Sequence, residues 1–284
     1  MSPRTHTPQQ SRHWDDTDIR VLAPGALEGM KAIVTGAGTG IGRGTAQRLV
    51  SLGAHVVGLG RREDRLHSTA ESVAGEPGRF DWTAVDLRDS AAAREAVEAH
   101  TADGLDLLVN NAGGQFYAPL AGISDNGFRA VIDLNLNAVF TVVSAAREGL
   151  SRRGGSIVSI SLSGVDRGGA GLGHSLAARA GVLALTRTIA LEWAHLGIRA
   201  NCLGPGAVLT EELPDEAAHE LRERLVPEAV PAGRATPVED IAEMIAFLAS
   251  PAGRMVSGQM LQIDGAAHLG AGLHMLPDWP SEDH

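Results

Sequence analysis

The chain has 284 residues, enough to bury a hydrophobic core without a metal or a disulfide, and it contains one cysteine, Cys202. Its 34 acidic and 24 basic residues give a formal charge of −10, which repels nucleic-acid phosphates and anionic membrane surfaces. No run approaches the roughly 18 consecutive apolar residues of a membrane span. The first twenty residues lack an apolar signal-peptide core. We therefore expect a soluble, cytoplasmic protein with no nucleic-acid or membrane partner.

Short apolar runs bounded by glycine predict seven strands, which begin at residues 31, 55, 81, 105, 156, 198 and 260. Segments with helical spacing lie between them, at residues 41–52, 90–99, 125–150, 177–195 and 238–248. Continuous apolar strands that alternate with helices indicate a parallel sheet covered on both faces. We predict an α/β fold with a doubly wound, seven-stranded parallel sheet in a single domain, over residues 29–268.

Three segments fall outside this alternation. Residues 1–28 are expected to form an unstructured arm, and residues 269–284 a tail that packs on a neighbour. The tail lacks the Ser-Lys-Leu ending of a peroxisomal address. Residues 209–230 form a charged helical insertion after a strand end, where either a mobile lid over a ligand crevice or a plain surface helix would fit.

A glycine-rich turn follows the first strand and precedes a helix. Glycines at such a turn let the backbone approach a pyrophosphate, whose charge is stabilised by free N–H groups and the positive helix end. The spacing differs from the G-x-G-x-x-G dinucleotide fingerprint, so a turn without a ligand remains the alternative at this point. The turn consists of Thr35, Gly36, Ala37, Gly38, Thr39, Gly40, Ile41 and Gly42.

Three further motifs follow this turn in order: Asn110-Asn111-Ala112-Gly113 after the fourth strand, Asn135 in the next helix, and Pro205-Gly206 after the sixth strand. Together they resemble the short-chain dehydrogenase/reductase family over residues 29–266. The resemblance implies a Rossmann fold and a bound nicotinamide cofactor, with adenine near Asp86 and nicotinamide against the Pro-Gly turn. Beyond the glycine turn, the implied cofactor residues are Asp86, Leu87, Asn111, Ala112, Gly113, Arg179, Pro205 and Gly206.

The end of the second strand carries Gly60-Arg61-Arg62 instead of the acidic residue that would bind the ribose 2′-hydroxyl of NAD. An arginine fork pairs well with a phosphate, so Arg61 and Arg62 favour NADPH, and Arg43 could add to the effect. The alternative is a solvated helix start, since all but one of the 24 basic residues are arginines.

Family members that reduce ketones use a serine, a tyrosine and a lysine, and the tyrosine protonates the carbonyl oxygen. The tyrosine and lysine lie four residues apart, and those positions carry Ser175 and Arg179 here. The family's serine position falls on Leu162, between Ser161 and Ser163. A serine hydroxyl is a poor acid, and Tyr117 is the only tyrosine in the chain. Ordinary ketone reduction is therefore not expected.

A second resemblance rests on the strings His174 to Val182, Ala190 to Ala194, Gly114-Gln115-Phe116 and Leu22 to Gly25. These strings are similar to the peroxisomal trans-2-enoyl-CoA reductases, which share the serine and the arginine. The related 2,4-dienoyl-CoA reductases also carry the serine, together with an asparagine that Asn137 matches. Their active-site tyrosine falls near Gly164, so that acid is absent from this chain.

Reduction of an enoyl thioester needs hydride at the β-carbon and hydrogen-bond donors for the oxygen where enolate charge develops. The candidate donors are Asn137, Ser175 and Tyr117. Their structural alternatives are a helix kink, a small filler and a half-buried aromatic residue, respectively. Arg179 is expected to position the cofactor without transferring a proton.

Two further polar residues near the expected site have structural readings. Asn135 is expected to hold a structural water rather than to contact substrate. For His174, neutral packing is favoured over acid catalysis.

The resulting hypothesis is an NADPH-dependent reductase of 2-enoyl thioesters, with coenzyme A favoured as the carrier and acyl carrier protein left open. The alternatives are a 2,4-dienoyl-CoA or cyclic enoyl-CoA reductase, and a catalytically silent nucleotide-binding homologue. The family resemblance also implies a homotetramer built on the long helices at residues 125–150 and 177–195.

Overall fold

The computed structural model describes residues 22–211, 219 and 226–269, and these form one seven-stranded parallel sheet with helices on both faces. This confirms the predicted doubly wound fold. The strand order is β3-β2-β1-β4-β5-β6-β7. The strands are Lys31–Thr35 (β1), His55–Gly60 (β2), Arg79–Ala84 (β3), Leu107–Asn110 (β4), Ser156–Ile160 (β5), Arg199–Pro205 (β6) and Met260–Ile263 (β7).

The described helices alternate with these strands. A π-helical turn, Asp133–Asn137, joins α4 to α5 into one long helix. Helix α2 was not among the predicted helices, and α6 begins four residues before the predicted start at residue 177. The helices are Gly40–Ser51 (α1), Glu63–Ser72 (α2), Ser90–Thr101 (α3), Asp125–Ile132 (α4), Ala138–Arg153 (α5), Gly173–Glu192 (α6), Val226–Ala229 (α7) and Val238–Ala249 (α8).

The sheet is buried on both faces because successive strand residues point to opposite sides and both sets are apolar. Ile33 and Leu108 lie in the core beneath α3, α5 and α6. Val34 and Val109 lie in the core beneath α1 and α8. The chain reverses its direction of winding between β1 and β4, so the loops that follow these strands diverge and leave a crevice at their carboxyl ends.

Among the described residues, one helical segment, Asp125–Arg153, is long and apolar enough to suit a membrane span. Its mean hydropathy over 18 residues is 1.3, and 39% of that window is buried. A core helix passes the same test of length and composition. Here Val142, Ala146 and Leu150 of this segment belong to the core against the sheet.

The predicted boundary of the N-terminal arm is wrong, because residues 22–28 pack against the domain. The side chain of Leu27 is 1% exposed within the core beneath α1 and α8. Its backbone N–H donates to the carbonyl of Leu52, at 3.0 Å. The N–H of Leu22 donates to Glu243, which also accepts from Arg48 at 2.6 Å. Residues 1–21 and the tail 270–284 lie outside the described residues.

Replacing Leu27 by alanine should lower the free energy of unfolding by about 2–5 kcal/mol, because it removes a fully buried side chain and leaves a cavity. Glu28→Ala is the matched control: Glu28 is exposed in the same segment, and its loss should change stability by no more than about 0.5 kcal/mol. Chemical denaturation measures both variants. Equal stability of the two would show that this segment is not packed.

Candidate functional site

A cleft of about 320 Å³ opens at the carboxyl ends of β1, β2, β3 and β4. Most of the residues predicted to bind a cofactor line it: Gly36, Thr39, Gly40, Ile41, Arg61, Arg62, Asp86, Leu87, Asn111, Ala112 and Gly113. The described lining does not include Gly42, Arg179, Pro205 or Gly206. Sequence reasoning missed Arg65, Leu134 and Thr210, which reach the cleft from elements with no motif of their own.

The glycine turn brings backbone against backbone. Gly36 and Gly40 have φ angles of +69° and +50°, a region that side chains disfavour. A Cβ atom on Gly42 would lie 2.2 Å from the carbonyl oxygen of Gly36 and 2.4 Å from Nδ2 of Asn111. Asn111 in turn donates from Nδ2 to the carbonyl of Thr35, at 2.9 Å. The turn therefore leaves room for a ligand only because its residues lack side chains.

The start of α1 suits an anion. Its N-cap, Thr39, makes no side-chain capping bond, and its first turn has no acidic residue. By contrast, the carboxylate of Asp89 accepts from two N–H groups at the start of α3. The first N–H groups of a helix lack partners within the helix, and at α1 no capping side chain satisfies them. This arrangement fits the pyrophosphate of a dinucleotide.

Charge around the cleft is divided between a cationic edge and a clamped carboxylate. Arg61, Arg62 and Arg65 line the edge after β2. A side-chain hydrogen bond from Arg88 lowers the pKa of Asp86 to about 2, so Asp86 is ionised at neutral pH. Arg43 is corrected: its guanidinium pairs with Glu211 at 3.3 Å and is not part of the described cleft lining.

The insertion at residues 209–230 is only partly described. Thr210 lines the cleft, and Glu211 holds Arg43 as above. Val226 of α7 is buried. Residues 212–218 and 220–225 lie outside the described residues, so neither the lid nor the surface-helix interpretation is tested.

Ser175 lies in the first turn of α6 and is completely buried. Its hydroxyl donates to Oε1 of Gln115 at 2.7 Å, so the proton expected to serve a substrate is given to a side chain. The remaining positions of the family's trio are also altered. The Ser161 hydroxyl donates to the backbone carbonyl of Arg179 at 3.4 Å, and Ser163 donates to Asp264.

Arg179 lies one turn after Ser175 on α6. Its guanidinium donates to the carbonyl of Ile160 at the end of β5, and it makes no ion pair with any described carboxylate. Burial lowers the pKa of Arg179 to about 10, so its charge persists at neutral pH. A Cβ on Gly113 would lie 2.3 Å from its Nη2. Arg179 therefore presses directly on the loop that borders the cleft.

The π-helical turn separates the two asparagines of the long helix. Asn135 is buried and bonds directly to Gly114, accepting from its N–H and donating to its carbonyl, both at 2.9 Å. This direct pairing replaces the expected structural water. Asn137 is exposed, lies two residues further round the helix, and donates to Asp133 at 2.8 Å. It does not face Gly114, so its predicted role as a donor is corrected in favour of the helix kink.

His174 and Tyr117 also occupy positions that do not suit catalysis. His174 is completely buried, with neither ring nitrogen hydrogen-bonded in the described structure. Its ring meets Phe116 edge to face at 4.2 Å, which is a packing contact. Tyr117 is 78% exposed and makes no hydrogen bond with any described residue, so it is neither the half-buried aromatic residue nor the placed donor that the sequence suggested.

The Pro205-Gly206 turn at the end of β6 is supported from below. A Cβ on Gly206 would lie 2.8 Å from the side chain of Asp264. Asp264 is buried and accepts from Ser163 and from Nδ1 of His268, the latter at 3.0 Å. The loop after β5 is thereby tied to the loop after β7, beneath this turn.

The functional residue that sequence reasoning missed is Gln115. It was noticed as part of a motif but was given no role. Its contact with Ser175 joins residues 60 positions apart, and no periodicity or spacing in the sequence signals such a pairing. The signal that was available was position: Gln115 follows Asn111-Ala112-Gly113 on the loop that borders the cleft.

Comparison with known proteins agrees with this architecture. Residues 36–268 match the family model described as Enoyl-(Acyl carrier protein) reductase. The protein named "Probable 2,4-dienoyl-CoA reductase" from Bacillus subtilis is 35% identical over 86% of this chain and 98% of its own length. The 3-oxoacyl-[acyl-carrier-protein] reductase FabG of Thermotoga maritima is 34% identical over 84% of this chain and 98% of its own length.

A solved structure matches equally well. The crystal structure described as a "putative 2-deoxy-d-gluconate 3-dehydrogenase" from Agrobacterium tumefaciens, with bound NADP, is 36% identical and superposes with a TM-score of 0.79. The match covers 87% of this chain and 99% of the other. The fold, the glycine turn and these relatives agree, and the chain belongs to the short-chain dehydrogenase/reductase family of oxidoreductases.

Proposed function

We propose that this protein uses NADPH to reduce the carbon–carbon double bond of a 2-enoyl thioester. One observation carries the proposal: Ser175 stands where ketone reductases of the family have a tyrosine, and its only proton is given to Gln115. The single tyrosine of the chain, Tyr117, is 78% exposed. The site therefore has no phenol placed to protonate a ketone oxygen. An enoyl thioester does not need one.

The electrons of the proposed reaction balance without an enzyme acid. A bound NADPH would supply the hydride, which forms the C–H bond at the β-carbon while the alkene electrons move toward the thioester oxygen, and a solvent proton then completes the α-carbon. The protein binds the nucleotide at the glycine turn, where the uncapped start of α1 accepts the pyrophosphate. Arg179 keeps its charge and holds Gly113 in place beside the cofactor.

The preference for NADPH rests on the cationic edge of the cleft. Arg61, Arg62 and Arg65 lie where a 2′-phosphate would be bound, and β2 ends in glycine rather than in a carboxylate that would repel it. The related Agrobacterium structure holds NADP, which supports the same choice.

Other members of the family point to neighbouring activities. The name of the Bacillus relative favours a dienoyl or cyclic enoyl thioester as the variant substrate, with coenzyme A or acyl carrier protein as the carrier. The FabG relative would favour 3-oxoacyl reduction, but Ser175 and Arg179 replace the residues on which that chemistry depends. A silent nucleotide-binding protein is disfavoured by the intact glycine turn.

A homotetramer is proposed on separate grounds. Phe140 on α5 and Leu191 on α6 are large apolar side chains exposed on the two long helices, at 56% and 82%. Such exposure on adjoining helices suits an interface between copies of the chain. A cytoplasmic location is proposed with it.

The purified protein should oxidise NADPH in the presence of crotonyl-CoA, and it should leave acetoacetyl-CoA unreduced because no phenol is available to protonate a ketone. The loss of NADPH absorbance measures both reactions. Reduction of acetoacetyl-CoA but not of crotonyl-CoA would overturn the proposal. Binding of NADPH, followed by its fluorescence, without turnover of enoyl or dienoyl thioesters would indicate the silent protein.

Replacing Arg61 and Arg62 together by alanine should raise the Kd for NADPH by about 10- to 100-fold, since charged hydrogen bonds to the 2′-phosphate are lost. The Kd for NADH should stay near its wild-type value. Fluorescence titration of each nucleotide measures the effect, and Arg254→Ala, an exposed arginine outside the described cleft, is the control. Equal weakening of NADPH and NADH would contradict the assignment.

A further inference from the structure

The loop after β4 is fixed at three consecutive residues. The guanidinium of Arg179 packs against Gly113, and Asn135 bonds to both backbone groups of Gly114. Ser175 donates to the side chain of the third residue, Gln115. Ser175 and Arg179 are one turn apart on α6, so a single helix face secures both ends of this short segment. Gln115 is therefore held in place, although its residue is exposed.

The direction of the Ser175 hydrogen bond fixes the orientation of the Gln115 amide. A serine hydroxyl has one proton, and this one points to Oε1 of Gln115 at 2.7 Å. The amide nitrogen, Nε2, then faces away from the buried serine, and it makes no hydrogen bond within the described structure. Accepting a bond at Oε1 also polarises the amide and strengthens Nε2 as a donor.

We infer that Gln115 is a catalytic residue, whose Nε2 donates a hydrogen bond to the thioester oxygen of the substrate, and that Ser175 is its positioning residue. This inference rests on the proposed function. Enolate charge on that oxygen is stabilised by a donor that is already oriented, because little reorganisation is needed as the charge forms. The amide remains neutral throughout and transfers no proton.

The other polar residues near this loop are engaged elsewhere. Both polar atoms of the Asn135 side chain are bonded to Gly114, and Asn137 bonds to Asp133. Ser175 has given its proton to Gln115. His174 is buried against Phe116. Gln115 alone among these residues combines a fixed side chain, an unused donor and an exposed position.

The decisive variant is Gln115→Glu, which keeps the size of the side chain and the acceptor for Ser175 but removes both N–H donors. Loss of one oxyanion donor should lower kcat for crotonyl-CoA by about 100- to 1,000-fold. KM should change far less, because the lost interaction forms mainly in the transition state. Gln47→Glu is the matched control, since Gln47 also bonds to a serine, Ser72, on the exposed surface of α1.

A second measurement needs no turnover. Crotonyl-CoA labelled with ¹³C at its carbonyl is bound together with NADP⁺, and its carbonyl stretching frequency is recorded by infrared difference spectroscopy. A hydrogen bond from Gln115 should lower this frequency in the wild-type protein and in Gln47→Glu, but not in Gln115→Glu. Gln115→Met gives the same test with an uncharged side chain, and it remains available where the carboxylate perturbs folding.

The role of Ser175 is tested by Ser175→Ala, which leaves the amide of Gln115 present but free to rotate. Its kcat should fall by about 10- to 100-fold through misplacement of the donor. In the Gln115→Glu background the same substitution should have no further effect, because the two residues act as one unit. Independent, multiplicative losses would show that Ser175 does not act through Gln115.

The outcomes separate this inference from the proposed function. Wild-type kcat in Gln115→Glu and Gln115→Met, or a carbonyl frequency unchanged by them, would overturn the role of Gln115 while enoyl reduction stands. A wild-type protein inert toward crotonyl-CoA and longer enoyl thioesters would overturn both. A large loss of kcat together with the loss of the frequency shift supports both.

Discussion

The arrangement of the site depends on one buried cation. Arg179 brings a guanidinium between the end of β5 and the loop after β4, where Ile160 supplies a carbonyl and no described carboxylate balances the charge. A desolvated charge is costly, which is why burial lowers the pKa of Arg179 to about 10. The planar group nevertheless fits closely, and it fits only because residue 113 is glycine. The course of the loop that borders the cleft therefore follows from this contact.

The electrostatics of the cleft differ from those of the whole chain. A net charge of −10 disfavours polyanions in general, yet the start of α1 lacks an acidic residue and a capping side chain, and three arginines line the neighbouring edge. Asp86, the carboxylate in the lining, is clamped by Arg88 at 2.5 Å. The reversal of strand order between β1 and β4 brings these features together. A dinucleotide can be held locally by a protein that repels phosphates globally.

The elements could be predicted from sequence because their signals are local. Each strand begins within two residues of its predicted start, since apolar runs between glycines mark buried parallel strands. The glycine turn was equally legible. Contacts between distant residues were not: Arg43 pairs with Glu211, and Ser175 pairs with Gln115. Leu27 was assigned to a disordered arm because its short apolar stretch has no periodicity, although it fills the core beneath α1.

Helix geometry accounts for the remaining errors at the site. Asn135 and Asn137 look equivalent in the sequence, but a π-helical turn carries both, and residues two apart point to nearly opposite sides of a helix. Asn135 consequently reaches Gly114, whereas Asn137 reaches Asp133. Motif matching assigns a residue type to a position, but it does not assign the direction in which that side chain points.

The substitution of serine for tyrosine changes the reaction class more than it weakens the site. An alkoxide formed from a ketone is strongly basic, so its formation must be accompanied by proton transfer from a nearby acid. A thioester enolate spreads its charge over carbon and oxygen, and oriented neutral donors suffice to stabilise it. Replacing the phenol by the hydroxyl of Ser175 removes the acid and, in the same step, supplies a partner that orients the amide of Gln115. On this argument the altered trio marks a change of substrate rather than the decay of an active site.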